Sequence, residues 1–471
     1  MSWRDLSPKE RCGVIASASS RVSEYSDRLI DACRSEQRTD PVETITSELL
    51  PLCAALRFIG RRGPRILATR RLGLRNRPAW LFGVRSKVER QPLGNVLILG
   101  TWNYPLLLPG VQTAQALAAG NTVWLKPAAG TETASQLLVE CFHESGVPES
   151  KMQLLRSETE AAVDALNRAP DLVVLTGAAE TGQKVLTTAA PHLTSSIMEL
   201  SGCDAVIAVP GFDIERLTAC LEFGLSFNSG ATCIGPRRLL VHRNDADDVC
   251  RALLDRLRDV TPFTIHPSAR SGVADALAEA LNRGAKDLVG RFDESELRQR
   301  GQLPPVVLSG VSPADPIAAA DLFAPVLSII HSESVEESIG VVNQCPYRLA
   351  ASVFGPRAAA EKVASKLSVG CVTVNDLIVP TADPRIPFGG QGRSGFGVTR
   401  GEEGLLAMTT PRVVCTRKGS FLAHLQPRQA GDEEMLHGLL RFSVGRGLQK
   451  RLEGLRMMIS GVKKSRKKGH P

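Results

Sequence analysis

Aromatic side chains are scarce, at 4% of 471 residues, and no run approaches 18 consecutive apolar residues. The second absence leaves no candidate for a helix that crosses a membrane. No two of the 11 cysteines stand as C-x-x-C, and no His/Cys/Asp grouping has the spacing of metal ligands. Neither a dithiol redox motif nor a zinc site is therefore read, and the eight scattered histidines receive no role. The first residues, MSWRDLSPKER, lack a charged-then-apolar secretory pattern. Together with unclustered cysteines this points to reduced thiols and a cytoplasmic location. The G-x-G-x-x-G fingerprint of dinucleotide binding is missing from the points where a strand opens into a helix.

What the chain does carry is uneven charge. The net charge is +8, yet residues 441–471 hold Arg441, Arg446, Lys450, Arg451, Arg456, Lys463, Lys464, Arg466, Lys467 and Lys468 against the single acid Glu453. The remainder is close to neutral, so the basic character belongs to an appendage and a nucleic-acid partner is disfavoured. Within it Leu448, Leu452, Leu455 and Ile459 recur at i, i+4, i+7 and i+11, an amphipathic face suited to an anionic membrane surface. Gly447, Gly454 and Gly461 weaken that helix, and a disordered or docking tail is the first reading, with membrane-surface binding second to it.

Residues 1–80 read as mainly helical from the spacing of Val14, Ile15, Val22, Leu29, Ile30 and Cys33. From Gly94 the character changes. Short apolar runs (NVLILG, NTVWLKP, DLVVLTG) alternate with helical stretches, and the alternation resumes in AVIAVP, RRLLVH, PVLSII, LAASVFG and GCVTVN. Buried parallel strands with crossover helices produce this pattern, which predicts two α/β domains. Arg237 and Arg238 read as strand-end structure, and PRIPFGGQGRSGFG as a long loop of the kind that lines active sites.

The stretch from Glu199 to Cys233 joins a carboxylate to a cysteine preceded by the turn-prone Asn228-Ser229-Gly230-Ala231-Thr232. A thiolate there could attack a carbonyl while the carboxylate activates water. FNSGATC resembles the F-N-x-G-Q-x-C signature of the aldehyde dehydrogenase superfamily, MELSG its M-E-L-G-G motif, and TWNYP its P-W-N-F-P motif. LKPA, LTGAAETG, DLFAPV, VTVND and PFGGQGRSGFG also resemble family motifs, in family order, across roughly residues 90–415.

The resemblance implies an aldehyde dehydrogenase-like α/β fold: a Rossmann-type dinucleotide-binding domain, an α/β catalytic domain and a small oligomerisation segment. The boundaries expected are 1–198 for dinucleotide binding with N-terminal helices, 199–390 for catalysis, 391–415 for the return to the cofactor domain and oligomerisation, and 416–471 for a basic extension. It further implies Cys233 as nucleophile, Asn103 as oxyanion donor and Glu199 as general base. Lys126, Thr176, Gly177, Gly182, Leu200, Asp321 and Phe323 would bind NAD, with NADP left open. The short N-terminal region resembles the family's shorter-chain, dimeric branch, which implies a homodimer. Trp102 and Tyr104 would flank the mouth and favour a medium- to long-chain or aromatic aldehyde.

The sequence departs from the pattern at six positions. Thr101 replaces a proline, Ala129 a ribose-binding glutamate, Ala178 a serine, Ser201 a glycine, Cys203 a lysine and Asp321 a glutamate. Two rivals follow: a CoA-acylating enzyme, disfavoured by the presence of Glu199, and a catalytically degenerate member tethered by its tail.

Overall fold

The computed structural model describes residues 3–420 and 422–467, so Lys468 lies outside the described residues. The chain divides into two compact units, Met1–Ala68 with Arg90–Pro411, and Thr69–Glu89 with Arg412–Pro471.

In the first unit, helix Pro8–Glu24 opens on a reciprocal cap. The Glu10 amide donates to the Ser7 hydroxyl, and the Ser7 amide donates to the Glu10 carboxylate. Its Cys12, Ile15, Ala18 and Val22 are buried in one core with Leu52, Leu56 and Ile59 of helix Leu50–Ile66.

The first sheet has the spatial order Gly395–Phe396, Ser195–Leu200, Leu172–Gly177, Asn95–Leu99, Thr122–Lys126, Met152–Leu154. Only the Gly395–Phe396 pairing is antiparallel. From Asn95–Leu99 the chain winds outward to one side, then returns to build the other. The carboxyl ends of Asn95–Leu99 and Leu172–Gly177 thus flank the point where strand order reverses, and such a crevice is where open α/β sheets bind ligands.

The second sheet runs Lys286–Asp287, Val306–Ser309, Val326–Ser332, Pro236–His242, Asp204–Ala208, Ala350–Phe354, Cys371–Val374. It is parallel except at its first pair. Separate apolar cores cover its two faces, which is why its strands read as unbroken hydrophobic runs.

Among the strands that go beyond the sequence expectation are Met152–Leu154, Ser195–Leu200 and Val306–Ser309. Ser195–Leu200 begins with two serines and carries a buried glutamate, so its composition hides a central strand. The glycine-rich loop is also more ordered than expected, since Gly395 and Phe396 pair with Glu199 and Met198.

Most of a three-stranded sheet, in the order Arg70–Leu72, Val84–Pro92, Thr409–Arg417, lies in the second unit. The C-terminal extension folds as helices Asp432–Val444 and Leu448–Lys467, not as a disordered tail. Among the described residues no helix is long and apolar enough to cross a membrane.

Candidate active site

Helix Ile214–Ser226 ends just before an unusual backbone segment. Asn228, Ser229 and Gly230 are consecutively left-handed, at φ 52°, 54° and 73°. For the two non-glycine residues this is strained, and surrounding contacts must hold it. The Arg38 guanidinium donates to Asn228 Oδ1 at 3.1 Å, and the Asn228 amide donates to the Glu43 carboxylate. The Ser229 hydroxyl donates to the Gln37 carbonyl at 2.8 Å. Arg237 closes the loop from below, donating to the carbonyls of Gly230 (2.7 Å) and Thr232 (3.0 Å). At Gly230 a Cβ would lie 2.5 Å from the Ala324 carbonyl carbon and the Pro325 nitrogen, so only glycine fits. Cys233 follows, half-buried.

Asn103 reaches the same loop from the end of Asn95–Leu99. Its Nδ2 donates to the Ala231 carbonyl at 2.8 Å, and its Oδ1 accepts the Thr101 hydroxyl at 2.6 Å. Thr101, a departure in the sequence, therefore fixes which end of the Asn103 amide faces Cys233. Arg38 donates to the Asn103 carbonyl at 2.6 Å and pairs with Glu48 at 2.6 Å. Glu48 in turn accepts from the amides of Leu106 (3.1 Å) and Leu107 (2.5 Å), at the start of helix Leu107–Ala119. One buried ion pair thereby ties together the Asn103 loop, the Asn228 turn and a helix N-terminus.

Glu199, on Ser195–Leu200, is 4% exposed and held by three donors: Gln112 Nε2 at 2.8 Å, the Thr176 hydroxyl at 3.2 Å, and the Thr399 hydroxyl. Burial raises its proton affinity, while Arg400 and these hydrogen bonds oppose the rise. Burial pushes the Cys233 thiol up to about 12, with the Asp204 and Glu199 carboxyls adding and Arg400 opposing. The resting thiol is therefore protonated at neutral pH. Cys233, Glu199 and Asn103 line one small cavity with Leu108, Leu349 and Phe388. Glu199 is its only carboxylate.

Beside it, at the strand-order reversal, lies a cavity of about 780 Å³ lined by Lys126, Thr176, Gly177, Ala178, Asp321 and Phe323, among others. That volume falls in the range of cofactor sites, about 300–1,000 Å³. Helix Ala179–Ala189 begins there with Ala178 as its N-cap and no side-chain cap, which leaves its first amides free for an anion. Lys126 lines the same cavity, with Glu132 the strongest of three acids acting on it. Asp321 accepts a hydrogen bond from the Ser201 hydroxyl through Oδ2, and its buried Oδ1 has no protein partner. A dinucleotide, with its phosphates on the helix start and a ribose hydroxyl on Asp321, fits these residues. Thr101, Thr176, Gly177 and Phe323 line both cavities.

Two implied cofactor residues sit differently. Gly182 is absent from the cavity lining, and a Cβ there would come within 2.9 Å of Leu200 Cδ1, so it serves close packing of helix on sheet. Leu200 lines only the smaller cavity. Tyr104 does not flank the mouth: it is 6% exposed, and its hydroxyl bonds to that of Thr232 at 2.7 Å. Trp102 lines the larger cavity and stacks on His266, with ring centroids 4.1 Å apart. Sequence reasoning passes over Arg38, Glu48, Gln112, Thr399, Arg400 and His266, whose neighbours are far away along the chain. Arg237 and Arg238 are structural as expected, Arg238 donating to the Cys203 carbonyl at 2.9 Å.

Comparison with known proteins places the chain among relatives of one family. The family described as "Aldehyde dehydrogenase family" matches residues 1–414. A 4,4'-diapolycopene aldehyde oxidase of Methylomonas sp is 29% identical over 94% of this chain and 84% of its own length. A probable coniferyl aldehyde dehydrogenase of Pseudomonas aeruginosa is 31% identical over 80% of this chain and 79% of its own. The crystal structure of a Mycobacterium tuberculosis aldehyde dehydrogenase complexed with NAD+ superposes with a TM-score of 0.81 at 26% identity, covering 89% of this chain and 88% of that one.

Proposed function

The chain belongs to the aldehyde dehydrogenase family, NAD(P)-dependent oxidoreductases acting on aldehydes, and we propose that Cys233, Asn103 and Glu199 carry that reaction here. The observation that supports this reading best is the pair of adjoining cavities. One gathers the thiol, the amide and a single carboxylate, and the other is shaped for a dinucleotide.

Cys233 adds to the aldehyde carbon and forms a thiohemiacetal. The sulfur reacts as the thiolate, its proton leaving to solvent water. The Asn103 amide, oriented by Thr101, stabilises the oxyanion that forms on attack. NAD(P)+ held in the larger cavity would accept the hydride that leaves the thiohemiacetal carbon, and loss of that hydride converts the adduct on Cys233 to a thioester. Glu199, whose burial raises its proton affinity, then draws a proton from water; the hydroxide adds to the thioester carbon, the C–S bond breaks, the carboxylic acid leaves and Cys233 recovers the proton from Glu199. Lys126, Thr176, Gly177, Asp321 and Phe323 hold the cofactor, while Gly182 and Leu200 shape its seat. Leu108, Leu349 and Phe388 around Cys233, together with the relatives' named substrates, favour an apolar aldehyde.

Residues 1–198 with 391–415 form the cofactor half, 199–390 the catalytic half and 416–471 a basic extension. The protein works as a cytoplasmic homodimer. Strand Thr409–Arg417 has one edge unpaired and a mostly exposed surface, and Leu74, Trp80 and Phe82 are 73%, 61% and 80% exposed, features that a second copy would cover. The basic C-terminal extension meets an anionic membrane surface peripherally.

The test is NAD(P)H formation by wild type and Cys233→Ala across an aldehyde panel, with each cofactor, with and without CoA. Turnover without CoA that vanishes in Cys233→Ala supports the proposal. A strict requirement for CoA, or unaltered turnover in the variant, refutes it.

A further inference from the structure

Helices Asp432–Val444 and Leu448–Lys467 form an antiparallel pair whose backbones touch. A Cβ on Gly438 would lie 2.5 Å from the Met458 nitrogen and 2.6 Å from the Gly454 carbonyl oxygen. One on Gly454 would lie 2.5 Å from the Phe442 nitrogen, and one on Gly461 2.6 Å from the Met435 nitrogen. Gly454 and Gly461, which weaken the second helix taken alone, thus form with Gly438 the seam that locks two helices together, while Gly447 precedes the helix and lies outside the seam. Lys464 and Glu434 add an ion pair at 2.6 Å.

Because the glycines consume the seam, the leucines are left over. Leu448, Leu452, Leu455, Ile459 and Val462 are 75%, 46%, 39%, 49% and 40% exposed, and Leu436 on the first helix is 55% exposed. Measured around each helix from its glycines, at about 100° per residue, these six side chains fall on one side of the pair. The opposite side carries His437, Arg441, Glu453, Ser460 and Lys464, together with Leu440 and Val444 of the first helix, 60% and 69% exposed. Arg456 and Lys463 border the apolar stripe, and both are exposed. The result is a slab one helix thick, apolar on one broad face and cationic along its margin.

We propose that this face of the C-terminal helix pair lies in the interface of an anionic bilayer, its leucines among the acyl chains and Arg456 and Lys463 on the phosphates. The inference rests on the reading that the basic extension meets a membrane, and it gives that reading a surface, an orientation and a lipid charge. Charge decides the occupant. Residues 432–471 hold ten basic residues against four acids, Asp432, Glu433, Glu434 and Glu453, so a second copy of the same face would be repelled, whereas anionic headgroups attract each exposed Lys or Arg. The pair does not span the bilayer, since neither helix is long and apolar enough.

The experiment is co-sedimentation of the full chain with vesicles of phosphatidylcholine alone and of phosphatidylcholine mixed with phosphatidylglycerol, with NAD(P)H formation measured in parallel. Wild type is expected to pellet only with the mixed vesicles, and less so as salt rises. Arg456→Gln with Lys463→Gln is expected to weaken partition about thirtyfold, and Leu452→Gln with Ile459→Gln to abolish it. Both pairs should leave aldehyde oxidation unchanged, which also reports that the protein is folded. Wild type remaining in the supernatant, equal binding to neutral vesicles, or undiminished binding by the leucine variant would each overturn the proposal. Loss of self-association in the leucine variant without vesicle binding by wild type would assign the face to a second copy and overturn it too. Since activity is read separately, failure here and failure of the catalytic assignment give different results.

Discussion

Replacing Arg38 by methionine separates what holds the reactive loops from what performs the chemistry. Arg38 and Glu48 are 4% and 0% exposed and 2.6 Å apart. Removing one member of such a pair leaves an uncompensated buried charge and costs about 3–5 kcal/mol. The same change removes the charged donor to the Asn103 carbonyl and to Asn228 Oδ1, so the oxyanion loop and the strained turn lose a common anchor. Burial already raises the proton affinity of Glu48, and Arg38 is the strongest group lowering it. Without Arg38 that affinity rises further, so the native state holds a proton that the unfolded chain releases near pH 4.3. The stability deficit of Arg38→Met is therefore largest at neutral pH and shrinks as pH falls toward that value. Urea unfolding across pH 5–8 reads this, with kcat measured beside it. The double variant Arg38→Met/Glu48→Gln removes the lone charge while its amide still accepts from Leu106 and Leu107. It is expected to recover most of the stability and little of the kcat. A single-variant loss below about 1 kcal/mol, within the range of surface pairs, would refute the argument. So would a double variant that regains full kcat.

Three other outcomes follow from the same geometry. Thr101→Val frees the Asn103 amide to rotate and should lower kcat by up to about a hundred- to a thousandfold while leaving cofactor affinity unchanged, as read by steady-state kinetics and fluorescence titration. Ser201→Ala removes the hydroxyl that positions Asp321 and should raise KM for NAD(P)+ several-fold without altering the iodoacetamide rate at Cys233. Because the Cys233 thiol is pushed up to about 12, its thiolate fraction in the free enzyme should climb about tenfold per pH unit from 7 to 10, so alkylation followed by mass spectrometry should show no plateau in that range.

How far the sequence could be read depends on whether the cause is local. The parallel strands announce themselves because burial on both faces leaves unbroken runs such as NVLIL and DAVIA. Ser195–Leu200 conceals itself, since it opens on two serines and carries the buried carboxylate of Glu199. Cys233, Asn103 and Glu199 are legible through motifs, but what holds them is not. Arg38 lies 190 positions from Asn228, and Thr399 lies 200 from Glu199. Two departures that looked like separate defects, Ser201 and Asp321, prove to be hydrogen-bonded to each other across 120 positions. In the C-terminal extension the glycines argue against a lone helix, and only the antiparallel partner turns them into a packing seam.

The most direct measurement of the catalytic account is a rapid-mixing experiment with Glu199→Gln, which keeps the shape of the cavity and removes its only carboxylate. Mixed with a productive aldehyde and NAD(P)+, the variant should release a burst of NAD(P)H approaching one equivalent per active site and then slow sharply. Intact-mass analysis of the quenched protein should find the acyl group on Cys233. Steady turnover at the wild-type rate, or a burst with no acyl adduct on Cys233, would contradict the assignment of Glu199 as the base and Cys233 as the nucleophile.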